Sequence, residues 1–174
     1  MTMFRLQRLM VGRADRRAVR RAVRCVVGCV VGGWALGAGP VRAQTVSTLS
    51  NLSFGTLIAG TTSSVIVTSP GAAQWQVTST LKLLNQVTFT LPTTLTRAGG
   101  GSMTVTYCTT CAGYSFTNNP TSATLFNPNA SYTITLVTFT PIYIWLGGSV
   151  SPPANQTPGT YTGSAVLTVI GLGL

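Results

Sequence analysis

The chain has 174 residues, a formal charge of +10, one acidic residue (Asp15) and no histidine. Nine of the eleven basic residues lie at the front: Arg5, Arg8, Arg13, Arg16, Arg17, Arg20, Arg21, Arg24 and Arg42; past residue 43 only Lys82 and Arg97 carry charge. General acid–base chemistry needs a group that titrates near working pH, hydrolytic metal sites need His or carboxylate ligands, and a Ser or Thr nucleophile needs an activating base, so composition argues against an enzyme and against a metal or other cofactor.

The first segment is a basic stretch, then the apolar run Cys25–Gly39, then Val41-Arg42-Ala43. That is the three-part layout of a secretory signal peptide, with cleavage expected between Ala43 and Gln44. The apolar run contains five glycines and falls short of the roughly 20 apolar residues a membrane span requires, so no stable span is expected. The long basic front also leaves Met10 open as the true start. Three other readings of this segment are weaker. A lipoprotein box at Val26-Val27-Gly28-Cys29 has Arg24 almost directly upstream, leaving no apolar segment before it. Twin-arginine export through Arg16-Arg17 or Arg20-Arg21 lacks the apolar pair that such signals carry. A phosphate-gripping arm would have to survive in the processed protein, because affinity for nucleic acid scales with the number of phosphates neutralised. No nucleic-acid partner is expected.

Residues 44–174 form one expected domain, long enough to bury its own core. Strands are predicted near 52–58, 63–68, 73–80, 86–91, 102–108, 112–117, 131–140, 142–147 and 161–170. The alternation of Val87, Phe89 and Leu91 with Thr88 and Thr90 is typical, and Met103-Thr-Val-Thr-Tyr107 and Tyr132-Thr-Ile-Thr-Leu136 repeat it; period two with one wet face marks a strand. Turn chemistry separates them: Ala59-Gly60, Ser69-Pro-Gly71, Ala98-Gly-Gly-Gly101, Asn118-Asn-Pro120, Asn127-Pro-Asn129, Gly147-Gly148 and the Pro-rich stretch 151–159. Pro141 marks an edge, bulge or corner. Many short strands at this spacing imply an all-β sandwich or barrel.

Cys108 and Cys111 are the two cysteines past the leader. In an exported chain they are expected as a disulfide holding a hairpin tip. A thioredoxin-like redox pair would want the first cysteine at a helix start within an α/β pattern, which is missing here.

Several segments together resemble a family of exported bacterial β domains, domain of unknown function 4402. They are Leu52-Ser-Phe-Gly55 with Ile58-Ala-Gly60, Ala73-Gln-Trp-Gln-Val77, Val87-Thr-Phe-Thr-Leu-Pro92, Gly99-Gly-Gly-Ser-Met-Thr-Val105, and Pro153 through Gly163 leading into Val166-Leu-Thr-Val169. The ending Gly159-Thr-Tyr-Thr-Gly163 is also similar to spore-coat-U-like and chaperone–usher pilin-type domains. The resemblance implies an immunoglobulin-like, pilin-like sandwich in the envelope or on the surface of a Gram-negative bacterium: periplasmic, surface-bound or extracellular. It implies a role in pili, coats or adhesion and supplies no catalytic residues. Pilins of that type carry a long alternating N-terminal extension, whereas only Thr45–Asn51 precedes the first matching motif here; they also tend to have an aromatic residue next to last, where this chain ends Gly-Leu-Gly-Leu.

A structural or adhesive subunit is the leading functional reading, with self-association or other surface subunits as partners. Its basis is that a charge-poor, Thr-rich sheet has little repulsion to stop edge-to-edge pairing. The alternatives are a soluble periplasmic domain with no assembly role and a carbohydrate-binding module. In the latter, Trp75, Tyr143 or Trp145 would stack on a sugar and Asn118, Asn119 or Gln156 would orient it. Trp75 is in phase with Val77 and reads as core, leaving Tyr143 and Trp145 as the candidate ligand or interface aromatics. Lys82 and Arg97 read as solubilising surface charges.

Overall fold

The computed structural model describes residues 44–172. The leader lies outside them; Gln44, on the far side of the expected cleavage point, opens the first strand. The described chain is all-β, with thirteen strands and one 3₁₀ turn at Pro120–Ser122, where Asn119 Oδ1 accepts from the Thr121 amide at 3.1 Å. The strands are β1 (Gln44–Ser50), β2 (Ser63–Val65), β3 (Ala73–Ser79), β4 (Leu83–Thr90), β5 (Thr94–Arg97), β6 (Ser102–Thr106), β7 (Ala112–Ser115), β8 (Thr124–Phe126), β9 (Tyr132–Leu136), β10 (Ile142–Leu146), β11 (Gly148–Ser151), β12 (Tyr161–Thr162) and β13 (Val166–Gly171).

They form three antiparallel sheets ordered β1-β3-β10-β7-β8, β12-β5-β6-β11-β2 and β13-β4-β9. The first is built on two strands, β3 and β10, that turn a row of apolar residues to one shared face. Ala73, Trp75 and Val77 of β3 pair with Leu146, Ile144 and Ile142 of β10, and all six are buried. Between them Gln74, Gln76 and Thr78 point the other way and are half-buried, as period two requires. The third sheet packs across this face. Phe89 of β4 meets Trp75 at a ring distance of 5.6 Å and Phe126 of β8 at 6.2 Å, and Phe126 stacks on Tyr132 of β9 at 4.6 Å. One apolar cluster joins all three sheets, the sheet-on-sheet architecture expected of a sandwich.

The threonine ladders alternate as predicted, with Val87, Phe89, Met103, Val105, Ile134 and Leu136 all buried. Several boundaries differ from the sequence expectation. Residues 52–58 are not a strand. Leu52 and Phe54 do bury their side chains, which produces a strand-like pattern, but Ser53 hydrogen-bonds Gly71 (2.8 Å) and Gly55 takes a left-handed φ of 67° that no strand tolerates. Gln44–Ser50 is the first strand instead, pairing with β3 in register from Gln44↔Ser79 to Ser50↔Gln74 with a bulge between Thr48 and Ser50. β5, β8 and β11, each three or four residues long, went unpredicted. The expected strand 161–170 is two, β12 and β13, which pair with β5 and β4 respectively. Pro141 ends the turn that carries the chain from β9 in the third sheet to β10 in the first, making it a corner.

Candidate functional site

The cysteine pair is joined: Cys108 and Cys111 form a disulfide, and the Cys111 amide also bonds the Cys108 carbonyl at 3.2 Å. It does not hold a hairpin tip. The strand before it, β6, belongs to the second sheet and the strand after it, β7, to the first, so the bridge tightens a crossing between sheets. The crossing is tied further by Gly147, whose amide donates to the Cys111 carbonyl at 2.7 Å, and by Asn129, whose side-chain amide donates to the Tyr107 carbonyl at 2.9 Å. Next to it the Tyr107 hydroxyl is buried without a hydrogen-bond partner, and burial pushes that phenol well above its ordinary range. Tyr114, beside Phe126 and Tyr132, is raised by burial first and then by the neighbouring Tyr132 phenol.

Trp145 and Tyr143 do share the outward face of β10 and stack on each other at 6.2 Å. They do not form an open platform. Trp145 is only 4% exposed. It lies opposite Gly113 of β7, and a side chain grown at Gly113 would meet Val67, Ala123 and Leu125, so these three residues roof that part of the sheet. Tyr143 is half-buried. Trp75 is core, at 3%. The polar partners imagined for a sugar are dispersed: Gln74 ties Asn118 (2.6 Å), Asn119 caps the 3₁₀ turn, and Gln156 lies in the 152–160 loop.

Gln156 borders a cleft of about 210 Å³ lined by Leu57, Met103, Pro152, Pro158 and Tyr161. The Tyr161 hydroxyl donates to the Thr157 carbonyl (2.7 Å) and accepts from the Gln156 amide nitrogen, while Gln156 Oε1 is buried and unpaired. The phenol therefore fastens the Pro-rich loop onto β12. Arg97, half-buried, spends its Nε–H on the Gly100 carbonyl (2.9 Å) and braces the triple-glycine turn; Lys82 is exposed.

The remaining feature with functional content is the sheet edges. Six strands are hydrogen-bonded on one side only among the described residues: β1 and β8, β12 and β2, β13 and β9. Their sequences, QTVSTLS, TLF, YT, SSV, VLTVIG and YTITL, contain no charged side chain. Native sheets usually protect such edges with lysine, proline or a bulge. β1 has a bulge, and β2, β8 and β12 are three residues or fewer. β9 and β13 have neither protection: β9 pairs with β4 in unbroken register from Tyr132↔Val87 to Leu136↔Leu83, and the longer β13 does so over six residues from Val166↔Thr90 to Gly171↔Asn85.

No protein-family profile matches the chain, and no curated protein is similar to it. No helix among the described residues is long and apolar enough to cross a membrane.

Proposed function

We propose that this chain is an exported, non-catalytic structural or adhesive subunit of a bacterial cell surface, with an immunoglobulin-like, pilin-like sandwich released from its leader between Ala43 and Gln44. The observation that carries this reading is the uncharged, regular, one-sided edge of β13. Edge amides and carbonyls that face water are a template for another strand, and a partner that adds one gains main-chain hydrogen bonds without meeting charge. The preferred partner is a copy of the same chain or another surface subunit. The N-terminal segment Gln44–Ser50 is already engaged with β3 of its own chain, so assembly here runs through an edge rather than by lending that segment to a neighbour. A carbohydrate platform finds no support in the outward aromatics, because Trp145 is covered.

The test is size-exclusion chromatography with light scattering on the protein recovered from its producing cell, beside Thr168→Lys, which puts an ammonium on the β13 edge. Assembly of the wild type and monomeric Thr168→Lys are expected. A wild type that stays monomeric at high concentration, or a variant that assembles equally well, refutes the edge reading.

A further inference from the structure

Among the described residues, six of the eleven exposed large apolar side chains gather at one pole of the fold: Leu81, Leu84, Val137, Phe139, Ile170 and Leu172. Pairing places them there. The turn after β3 and the turn after β9 run side by side, joined by the Phe139 amide donating to the Ser79 carbonyl at 2.8 Å. Leu84 and Thr135 are cross-strand partners, and the Leu172 amide donates to the Leu84 carbonyl at 2.8 Å. Phe139 stands furthest out, 77% exposed, and is the one non-glycine described residue with positive φ, at 55°. Bulky residues avoid that region, so the fold holds an aromatic ring in water at a conformational cost, a pattern that marks functional positions.

The charge of the pole says what covers it. Its one charged side chain is Lys82, at the tip of the turn between Leu81 and Leu84, and residues 44–174 contain no acidic side chain to oppose it. The chain also enters the fold at this pole. Gln44 lies opposite Ser79, and its side-chain amide donates to Asn85 Oδ1 at 2.6 Å, so β1 begins beside Phe139 rather than at the disulfide end.

From these we infer that the Leu81–Phe139 pole is a membrane-docking surface: its apolar side chains insert shallowly into an anionic phospholipid bilayer while Lys82 sits among the headgroups. An aromatic and leucines flanked by a basic residue are the side chains that partition to that interface. This inference rests on the export reading only for which bilayer is met; the pole shares Ile170 with β13, but docking uses apolar side chains and Lys82 rather than the main-chain groups of that edge. Docking at this pole directs the Cys108–Cys111 crossing away from the bilayer, because β3 runs from Ala73, near that crossing, to Ser79 at the pole, roughly 20 Å away.

The experiment is vesicle co-sedimentation of the recovered protein, its N-terminus fixed by mass spectrometry. One vesicle set is phosphatidylcholine alone and the other contains phosphatidylglycerol. The wild type is expected to pellet with the anionic vesicles. The pair Leu81→Ser with Phe139→Asn should weaken that binding at least about tenfold; asparagine suits the left-handed backbone, so a melting curve should show the fold intact. Lys82→Gln should weaken binding to anionic vesicles by about fivefold and leave phosphatidylcholine unaffected. Leu125→Ser, an equally exposed apolar position on the β8 edge, should bind as the wild type does. Failure of the wild type to pellet, unchanged binding by the pole variants, or equal loss with Leu125→Ser overturns the inference. So does a pole variant that dissolves a dimer while vesicles capture nothing, since a second copy would then cover the pole. An N-terminus upstream of Gln44 would count against the leader reading, and an unassembled wild type that still pellets against the β13 edge, each without touching the docking result.

Discussion

Replacing Gly147 by alanine tests whether the crossing between sheets is as closely packed as it looks. A methyl carbon there would lie 2.2 Å from the Val65 carbonyl oxygen and 3.1 and 3.2 Å from the carbonyl carbons of Val65 and Ile66. A carbon–oxygen contact relaxes only near 3.3 Å, so something must move by about 1 Å. Every atom in the way is main chain. Gly148 is paired with Val65 and the Gly147 amide is bonded to Cys111, so relief parts one or both of these links. Losing them costs about 1 kcal/mol each, and the backbone shift adds about 1–3 kcal/mol. The sum, about 2–5 kcal/mol, is a large share of the roughly 5–15 kcal/mol that holds a domain folded. Gly99→Ala is the comparison: its φ of 83° is unfavourable for alanine but nothing lies within 4 Å, so only about 1–2 kcal/mol is at stake. Urea unfolding followed by tryptophan fluorescence, with buried Trp75 and Trp145 as reporters, measures both. A loss for Gly147→Ala no larger than that for Gly99→Ala refutes the steric argument.

Three further outcomes follow from burial and charge. Phe139→Gly should raise stability by about 1 kcal/mol in the same urea assay, because it relieves the left-handed backbone and removes no core packing. Trp145→Ala should cost about 3–5 kcal/mol, the loss expected of a buried ring, whereas an open ligand platform would lose binding and keep its stability. The fold should also ignore acid: residues 44–172 have no Asp, Glu or His, so thermal midpoints should stay level from about pH 4 to about pH 9. At the alkaline end the sign is set by Tyr107, whose folded value is raised by burial above the ordinary 10.0. The folded chain then holds a proton the unfolded chain releases, so that contribution is complete below about pH 10 and is lost as pH rises further. A midpoint that falls between pH 7 and pH 4 contradicts this.

The sequence was most informative where strands are long and half wet. β3, β4, β6 and β9 announce themselves because threonine or glutamine alternates with apolar residues, β10 because it is an unbroken apolar run, and Trp75 could be placed in the core from its phase with Val77. It misled at residues 52–58, where two buried side chains on a loop have the spacing of a strand and only a glycine conformation tells them apart. Tyr143 and Trp145 show a second limit. Their shared face was legible, but Val67, Ala123 and Leu125 reach it from segments distant in sequence, two loops and the strand β8, and no local pattern encodes that. The cysteine pair was legible as a bond and not as a crossing, since the sheet to which β6 and β7 each belong depends on partners as distant in sequence as Ser151 is from Thr104. The apolar pole was hidden for the same reason. Leu81, Val137 and Leu172 meet only because antiparallel pairing returns three segments to one place.

That both ends of the described chain meet at this pole has a bearing on how the fold could be re-wired. Gln44 touches Asn85 through its side chain, and Leu172 is bonded to the residue before it, Leu84. Neighbouring strands lie about 5 Å apart and packed sheets about 10 Å, so a bridge of about four residues spans the gap. A circular permutant closed there and reopened between Gly99 and Gly100 would keep every sheet ladder intact while moving both free ends to the triple-glycine turn.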